Sequence, residues 1–203
     1  MKITARLLIA ALLLSAAGLH AKPADAPAAA APAVQLSSAQ APDAAIDLSL
    51  MNEVRAAQKR GLDWLAAKQQ PDGSWSLPDF PALTALPLWA FALSDHPQKP
   101  AIVSNAVRHL LRYVQPDGGI YKPAEGKSGG LANYNTAIAM VALHLTGDRS
   151  LAPVVLKARR FLADAQHLEG DDLYQGGMGY DKASGRHYAD LNNTVIAFEA
   201  MRL

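Results

Sequence analysis

Leu65 to Trp75 reads LAAKQQPDGSW. It joins the end of an amphipathic helix to a Pro-Asp-Gly turn and an aromatic residue that closes the turn. Two further stretches share the layout: LRYVQPDGGIY, Leu111 to Tyr121, and the longer LADAQHLEGDDLYQGGMGY, Leu162 to Tyr180. In each, a Leu is followed four residues later by a Gln (Gln69, Gln115, Gln166), then by a glycine and an aromatic: Gly73 with Trp75, Gly119 with Tyr121, Gly177 with Tyr180. Recurrence of this kind predicts a repeat protein.

Two kinds of helix alternate around these turns. Val54, Ala57, Gly61, Trp64 and Leu65 fall on one face of a surface helix, with Arg55, Lys59, Arg60 and Lys68 among the rest. Val103, Val107, Leu110, Leu111 and Val114 repeat the stripe after Pro100, which suits a first helical turn. Val154, Ala158, Phe161, Leu162 and Ala165 repeat it after Ser150, read as an N-cap. Between them, ALPLWAFAL (Ala85 to Leu93), AIAMVALHL (Ala137 to Leu145) and VIAFEAMRL (Val195 to Leu203) have no polar face, the pattern of helices buried on several sides. Pro87 is expected in the first turn of its helix, and Gly147 as a C-terminal cap.

The Gln positions are 46 and 51 residues apart, and Thr84, Thr136 and Thr194 at the inner-helix starts are 52 and 58 apart. A period near 50 with a helical hairpin per unit predicts an all-α array of three outer-inner hairpins, over about 48–97, 98–148 and 149–203.

The ends and the composition set the context. Lys2 and Arg6 precede the apolar run Leu7 to Leu14, and small residues lead to a cut after Ala21. Residues 1–21 thus read as a signal peptide, and the protein is expected to be exported, periplasmic or secreted. The run is short for a membrane anchor, so no integral membrane segment is expected after cleavage. Residues 22–46, dominated by Ala and Pro, read as a disordered linker, leaving 47–203 to fold. The chain has no cysteine, which excludes disulfides, thiolate metal sites and a cysteine nucleophile. Its net charge of +1 and scattered basic residues give no reason to expect a nucleic-acid partner.

RGLDWLAAKQQPDGSW, Arg60 to Trp75, resembles the QW repeat of squalene and oxidosqualene cyclases and of the wider prenyltransferase and squalene-oxidase repeat family. Arg60, Gly61, Trp64, Leu65, Gln69, Gly73 and Trp75 match every term of that signature. The later copies end in Tyr121 and Tyr180 instead of Trp. The resemblance implies an α/α toroid, whose inner helices line a cavity and whose outer helices wrap them, with three hairpins forming part of the ring. It also implies a structural role for the Gln and aromatic residues, in keeping with an amide that satisfies helix-end groups.

The candidate chemistry lies in YADLNNTVIA, Tyr188 to Ala197. Cyclases that protonate an alkene or epoxide carry Asp, any residue, Asp, Asp, Thr, Ala at one inner-helix start, the middle Asp being the general acid. With Thr194 set on that Thr, Asp190 takes the first position, Asn192 that of the acid and Asn193 the last. An amide has no proton to donate at accessible pH. The same frame puts Ala132, Tyr134 and Asn135 before Thr136, and Phe80, Ala82 and Leu83 before Thr84, so no repeat supplies the acid. Asp190 or Asn192 reads first as a helix N-cap.

Other motifs point to structure. Asp72 and Asp117 sit in ordinary Pro-Asp-Gly turns, and Gly170, Asp171 and Asp172 read as a solvated loop. His144 is expected to be partly buried and hydrogen-bonded, and His167 and His187 have no partner at metal spacing. Trp89, Phe91, Tyr134 and Phe198 lie where a toroid presents side chains to its core or its cavity.

The leading expectation is a binding or scaffold module without the cyclase acid, needing no cofactor or metal and open to an apolar or isoprenoid-like ligand. A cyclase-type isomerase with its acid outside this motif and a secreted polysaccharide-active toroid are the alternatives. Leu203 follows directly on an inner helix, so further hairpins or a second copy are expected to cover that face.

Overall fold

The computed structural model describes residues 48–77, 79–123, 130–168, 173–180 and 189–203. The expected signal peptide and linker, Gly170, Asp171, Asp172, His187 and Tyr188 lie outside the described residues. The described part contains α1 Leu48–Lys68, α2 Ala82–Ala92, α3 Lys99–Leu111, α4 Ala132–Leu145, α5 Ala152–Ala163 and α6 Leu191–Met201, with a 3-10 turn Arg149–Leu151 before α5. Among these residues there is no strand, only a bridge from Val114 to Ile120 across the second turn. The helices alternate outer and inner in three hairpins, the array that the repeats predict and the partial α/α toroid that the resemblance implies.

The inner helices α2, α4 and α6 lie side by side with α4 in the middle; α3 packs behind α2, and α5 behind α4 and α6. Eleven of the 14 residues of α4 are buried, which explains a sequence with no polar stripe. Ile138, Met140 and Leu143 are among the largest fully buried side chains, each stabilising by about 1.5–3 kcal/mol relative to exposure.

The outer helix α1 differs from the others, since none of its 21 residues is buried. Trp64 is 60% exposed and Val54 41%, while Met51, Leu62, Leu65 and Ala66 are half-buried. Of the expected stripe only Leu65 is on the packed side, while Val54, Ala57, Gly61 and Trp64 are exposed. What holds α1 is its C-terminal end, where the Trp75 indole donates to the Leu65 carbonyl at 2.7 Å and the Gln69 amide donates to the Ile102 carbonyl at 3.0 Å.

The structure corrects three expectations, two at helix boundaries and one of burial. Helix α2 begins at Ala82, so Pro87 is its sixth residue and lies inside it, past the first turn. The early start is set by Asn135, whose Oδ1 accepts the Ala82 amide proton at 2.9 Å and satisfies one of the unpaired N-terminal groups. The carbonyl that Pro87 cannot serve belongs to Leu83, a residue 37% exposed and open to water. Ahead of α5 the capping side chain is Asp148, which accepts from the Ser150 amide at 2.9 Å; Ser150 is inside the 3-10 turn. His144 is exposed, because it falls on the outward side of the last turn of α4.

Candidate functional site

The starts of the inner helices are built from the glycine turns. In the first turn the Gln70 amide donates to Ser74 and the Gly73 amide to Gln70; in the second, Gln115 donates to Gly119 and Gly118 to Gln115. In the third, His167 donates to Gly177 and Gly176 to His167. The equivalent residues are therefore Gln70, Gln115 and His167, and likewise Gly73, Gly118 and Gly176, all three at positive φ.

This register places Gln115 one position away from Gln69 and Gln166. Gln69 and Gln166 donate to the carbonyls of Gly73 (3.2 Å) and Gly176 (2.7 Å), whereas Gln115 donates to Tyr113 (3.1 Å) and Tyr121 (2.8 Å). Gly119 and Gly177 are the second glycines of their turns, matching Ser74. The ring of Trp75 stacks on Phe91 at 6.1 Å, Tyr121 lies 5.7 Å from Phe161, and Tyr180 lies 6.1 Å from Tyr134. The Tyr121 hydroxyl donates to Asp117 at 2.7 Å, and burial, then that bond, pushes its pKa up to about 12.

From the turns the chain passes to the threonines. Thr136 Oγ1 accepts from the Ile120 amide at 2.9 Å, and Thr194 Oγ1 accepts from the Met178 amide at 3.0 Å. Ile120 and Met178 are equivalent in the register above, so each threonine pins its inner helix to the turn before it.

At the start of α6, Asp190 is the N-cap residue. Its Oδ1 accepts from the Asn193 backbone amide at 2.8 Å and its Oδ2 from the Asn193 side-chain amide at 2.6 Å. Thr194 Oγ1 donates back to the Asp190 carbonyl at 2.7 Å. Asn192, at the position of the acid, is exposed, while Asn193 is buried. The carboxylate present is thus occupied by two N–H donors, and the two neighbouring amides carry no transferable proton.

The segment Met178–Tyr180 runs between the starts of α6 and α4. Asp190 donates its amide proton to the Met178 carbonyl at 3.1 Å, and Asn133 donates its backbone amide to Tyr180 at 2.9 Å and its side-chain amide to Gly179 at 2.9 Å. Asn133 Oδ1 and Asn193 Oδ1 are buried with no donor among the described residues. Asn133 went unnoticed in the sequence because a lone Asn near a helix start reads as ordinary capping. Beside it, Leu131 precedes α4 at φ 54°, a left-handed conformation that few residues other than glycine adopt.

A second polar cluster, also missed, joins the first turn to α3. His109 is 1% exposed and touches Asp72, Arg112 and the ring of Tyr113. The signal was available: His109 continues the core stripe Ile102, Ala106, Leu110 at helical spacing. A groove of about 510 Å³ lies alongside, lined by Gln69, Gln70, Pro71, Gln98, Asn105 and neighbours that include no charged side chain.

Of the aromatics singled out, Phe91 is fully buried, Trp89 and Tyr134 are half-buried, and Phe198 is 42% exposed. Among the described residues no group of His, Asp and Glu could hold a metal ion, and no helix is long and apolar enough to cross a membrane.

Among curated proteins, the chain is 30% identical over 157 residues to squalene–hopene cyclase of Alicyclobacillus acidocaldarius subsp. acidocaldarius, covering 72% of this chain and 24% of that enzyme. The chain therefore has a squalene cyclase-like relationship and spans about a quarter of the length of the curated relative it matches. No family model and no solved structure matches it.

Proposed function

We propose that the protein is an exported, non-catalytic binding or scaffold module on a terpenoid cyclase-like helical fold. The observation that carries this reading is the start of α6, where Asn192 and Asn193 stand at the carboxyl positions and Asp190 is held as a helix cap. Protonating an alkene requires a strong, desolvated acid, and an amide cannot serve. The exposed Leu191, Val195 and Phe198 on the same helix support an apolar, isoprenoid-like ligand or partner. Incubation of the purified protein with squalene and shorter polyprenyl substrates, followed by mass spectrometry, is expected to yield no cyclised product. Turnover would overturn the proposal.

The relationship to squalene–hopene cyclase favours a second reading, a cyclase-type isomerase whose acid lies outside this motif. The same incubation separates the two. An Asn192→Asp variant adds a further arm: the first reading expects it to stay inactive, since an exposed carboxyl is a weak acid in water.

A further inference from the structure

His109 takes no part in the motif at α6, yet its surroundings define two exclusive arrangements. Its Nδ1 lies 3.2 Å from the Asp72 carbonyl oxygen and 3.2 Å from Asp72 Oδ2. Arg112, just past the end of α3, reaches both of these oxygens and the ring: the Asp72 carbonyl at 3.3 Å, Asp72 Oδ2 at 3.4 Å and His109 Nδ1. A neutral ring with its proton on Nε2 accepts from Arg112 at Nδ1. A charged ring carries protons on both nitrogens and must donate from Nδ1, so it can no longer accept from Arg112.

We propose that His109 and Arg112 form a proton-operated exchange on Asp72. With the ring neutral, Arg112 holds Asp72 and His109 together; when the ring gains a proton, Nδ1 donates to Asp72 and Arg112 turns out to solvent. The guanidinium has room to leave, since the Arg112 side chain is 56% exposed.

The charges around the ring agree with this order of events. Burial, helped by the positive charge of Arg112, pulls the His109 pKa below its usual 6.5, so the ring is neutral near pH 7. The Ser74 hydroxyl and amide hold the Asp72 carboxyl below its usual 3.8, with His109 and Arg112 acting the same way. These bonds favour an ionised Asp72 as the partner of the charged ring. Asp72 from the turn and Arg112 from the C-terminal cap of α3 are the charged groups acting on His109, and the Tyr113 ring, 5.3 Å away, stays uncharged there. Pro71, next to Asp72, and Asn105, one helical turn before His109, line the groove.

The test is a nitrogen-15 NMR titration of the whole chain from about pH 8 to about pH 4, following the His109 ring nitrogens and the Arg112 side chain. The expected result is an Nδ1 that changes from acceptor to N–H with a midpoint below 6.5, while the Arg112 signal shifts to its solvent-averaged position with the same midpoint. Arg112→Gln should raise the midpoint and Asp72→Asn should lower it further. An Nδ1–H already present near pH 8 overturns the proposal, as does an Arg112 signal that stays constant through the ring titration. So does a ring that gains its proton only as the protein unfolds. The wild-type titration alone decides if either variant fails to fold.

Discussion

A Cβ built on Gly73 would lie 2.3 Å from the Asn105 carbonyl oxygen, so the first turn meets the backbone of α3 at a distance only glycine permits. Gly118 repeats the arrangement one hairpin on, with Lys157 O of α5 at 2.8 Å, whereas Gly176 has nothing within 4 Å. All three have positive φ, so alanine carries a conformational cost of about 1–2 kcal/mol at each. Gly73→Ala and Gly118→Ala should lose distinctly more than this, because the obstructing atoms are backbone. Chemical denaturation of the three variants checks it, with Gly176→Ala reporting the conformational cost by itself.

Trp75→Phe keeps most of the stacking on Phe91 and removes the indole N–H that serves the Leu65 carbonyl. The expected loss is about 0.5–1.5 kcal/mol of stability. Since that bond is one of the ties on α1, hydrogen exchange in α1 should accelerate more than exchange in α4.

Asn193→Asp would place a second carboxyl against Asp190 Oδ2, where the amide now donates at 2.6 Å. Two adjacent carboxylates cannot both ionise in a buried site, so one proton is retained and its folded-state pKa rises. A raised pKa means stability relative to wild type that is greatest below the unfolded-state pKa and lost as pH rises through the folded one. The variant should be about 1–3 kcal/mol less stable than wild type at neutral pH, with the gap narrowing on acidification. Paired urea melts at two pH values measure this.

His109 has a folded-state pKa below its unfolded 6.5, because burial disfavours the charged ring. Its contribution to stability is therefore constant above about pH 6.5, falls as the pH drops towards the folded value, and levels off below it. His109→Phe, which matches the aromatic character of Phe161 at the corresponding place on α5, should flatten that acid limb of the stability profile.

The repeat, the glycine turns and the outer-inner alternation were legible because each rests on local chemistry: apolar spacing, turn residues and caps. The register of the second turn was not. Counting from the Leu pairs Gln69 with Gln115, whereas the shared Gln-Pro-Asp-Gly string pairs Gln70 with Gln115, and the backbone bonds of those two residues follow the string. Pro87 was misplaced because the start of α2 is set by Asn135, 53 residues away along the chain. At the candidate site, the residues in the motif were visible and their partners were not. That Asp190 is occupied by Asn193 follows from a local cap, but the seating of Asn133 on Gly179 and Tyr180 depends on two distant segments meeting. The burial of His109 was legible from its place on the stripe of Ile102, Ala106 and Leu110, whereas its partner Asp72, 37 residues away along the chain, was not.

The helix α1, with no buried residue in 21, sets up a difference in time scale within one chain. Its opening exposes little apolar surface and so costs little free energy, whereas α4 cannot release its amides until the layer around it comes apart. A brief protease pulse under native conditions should therefore cut α1 first and leave a trimmed, folded remainder. Helix α1 then acts as a detachable edge, while α2 stays with α4, which decides what the protein resists as a whole.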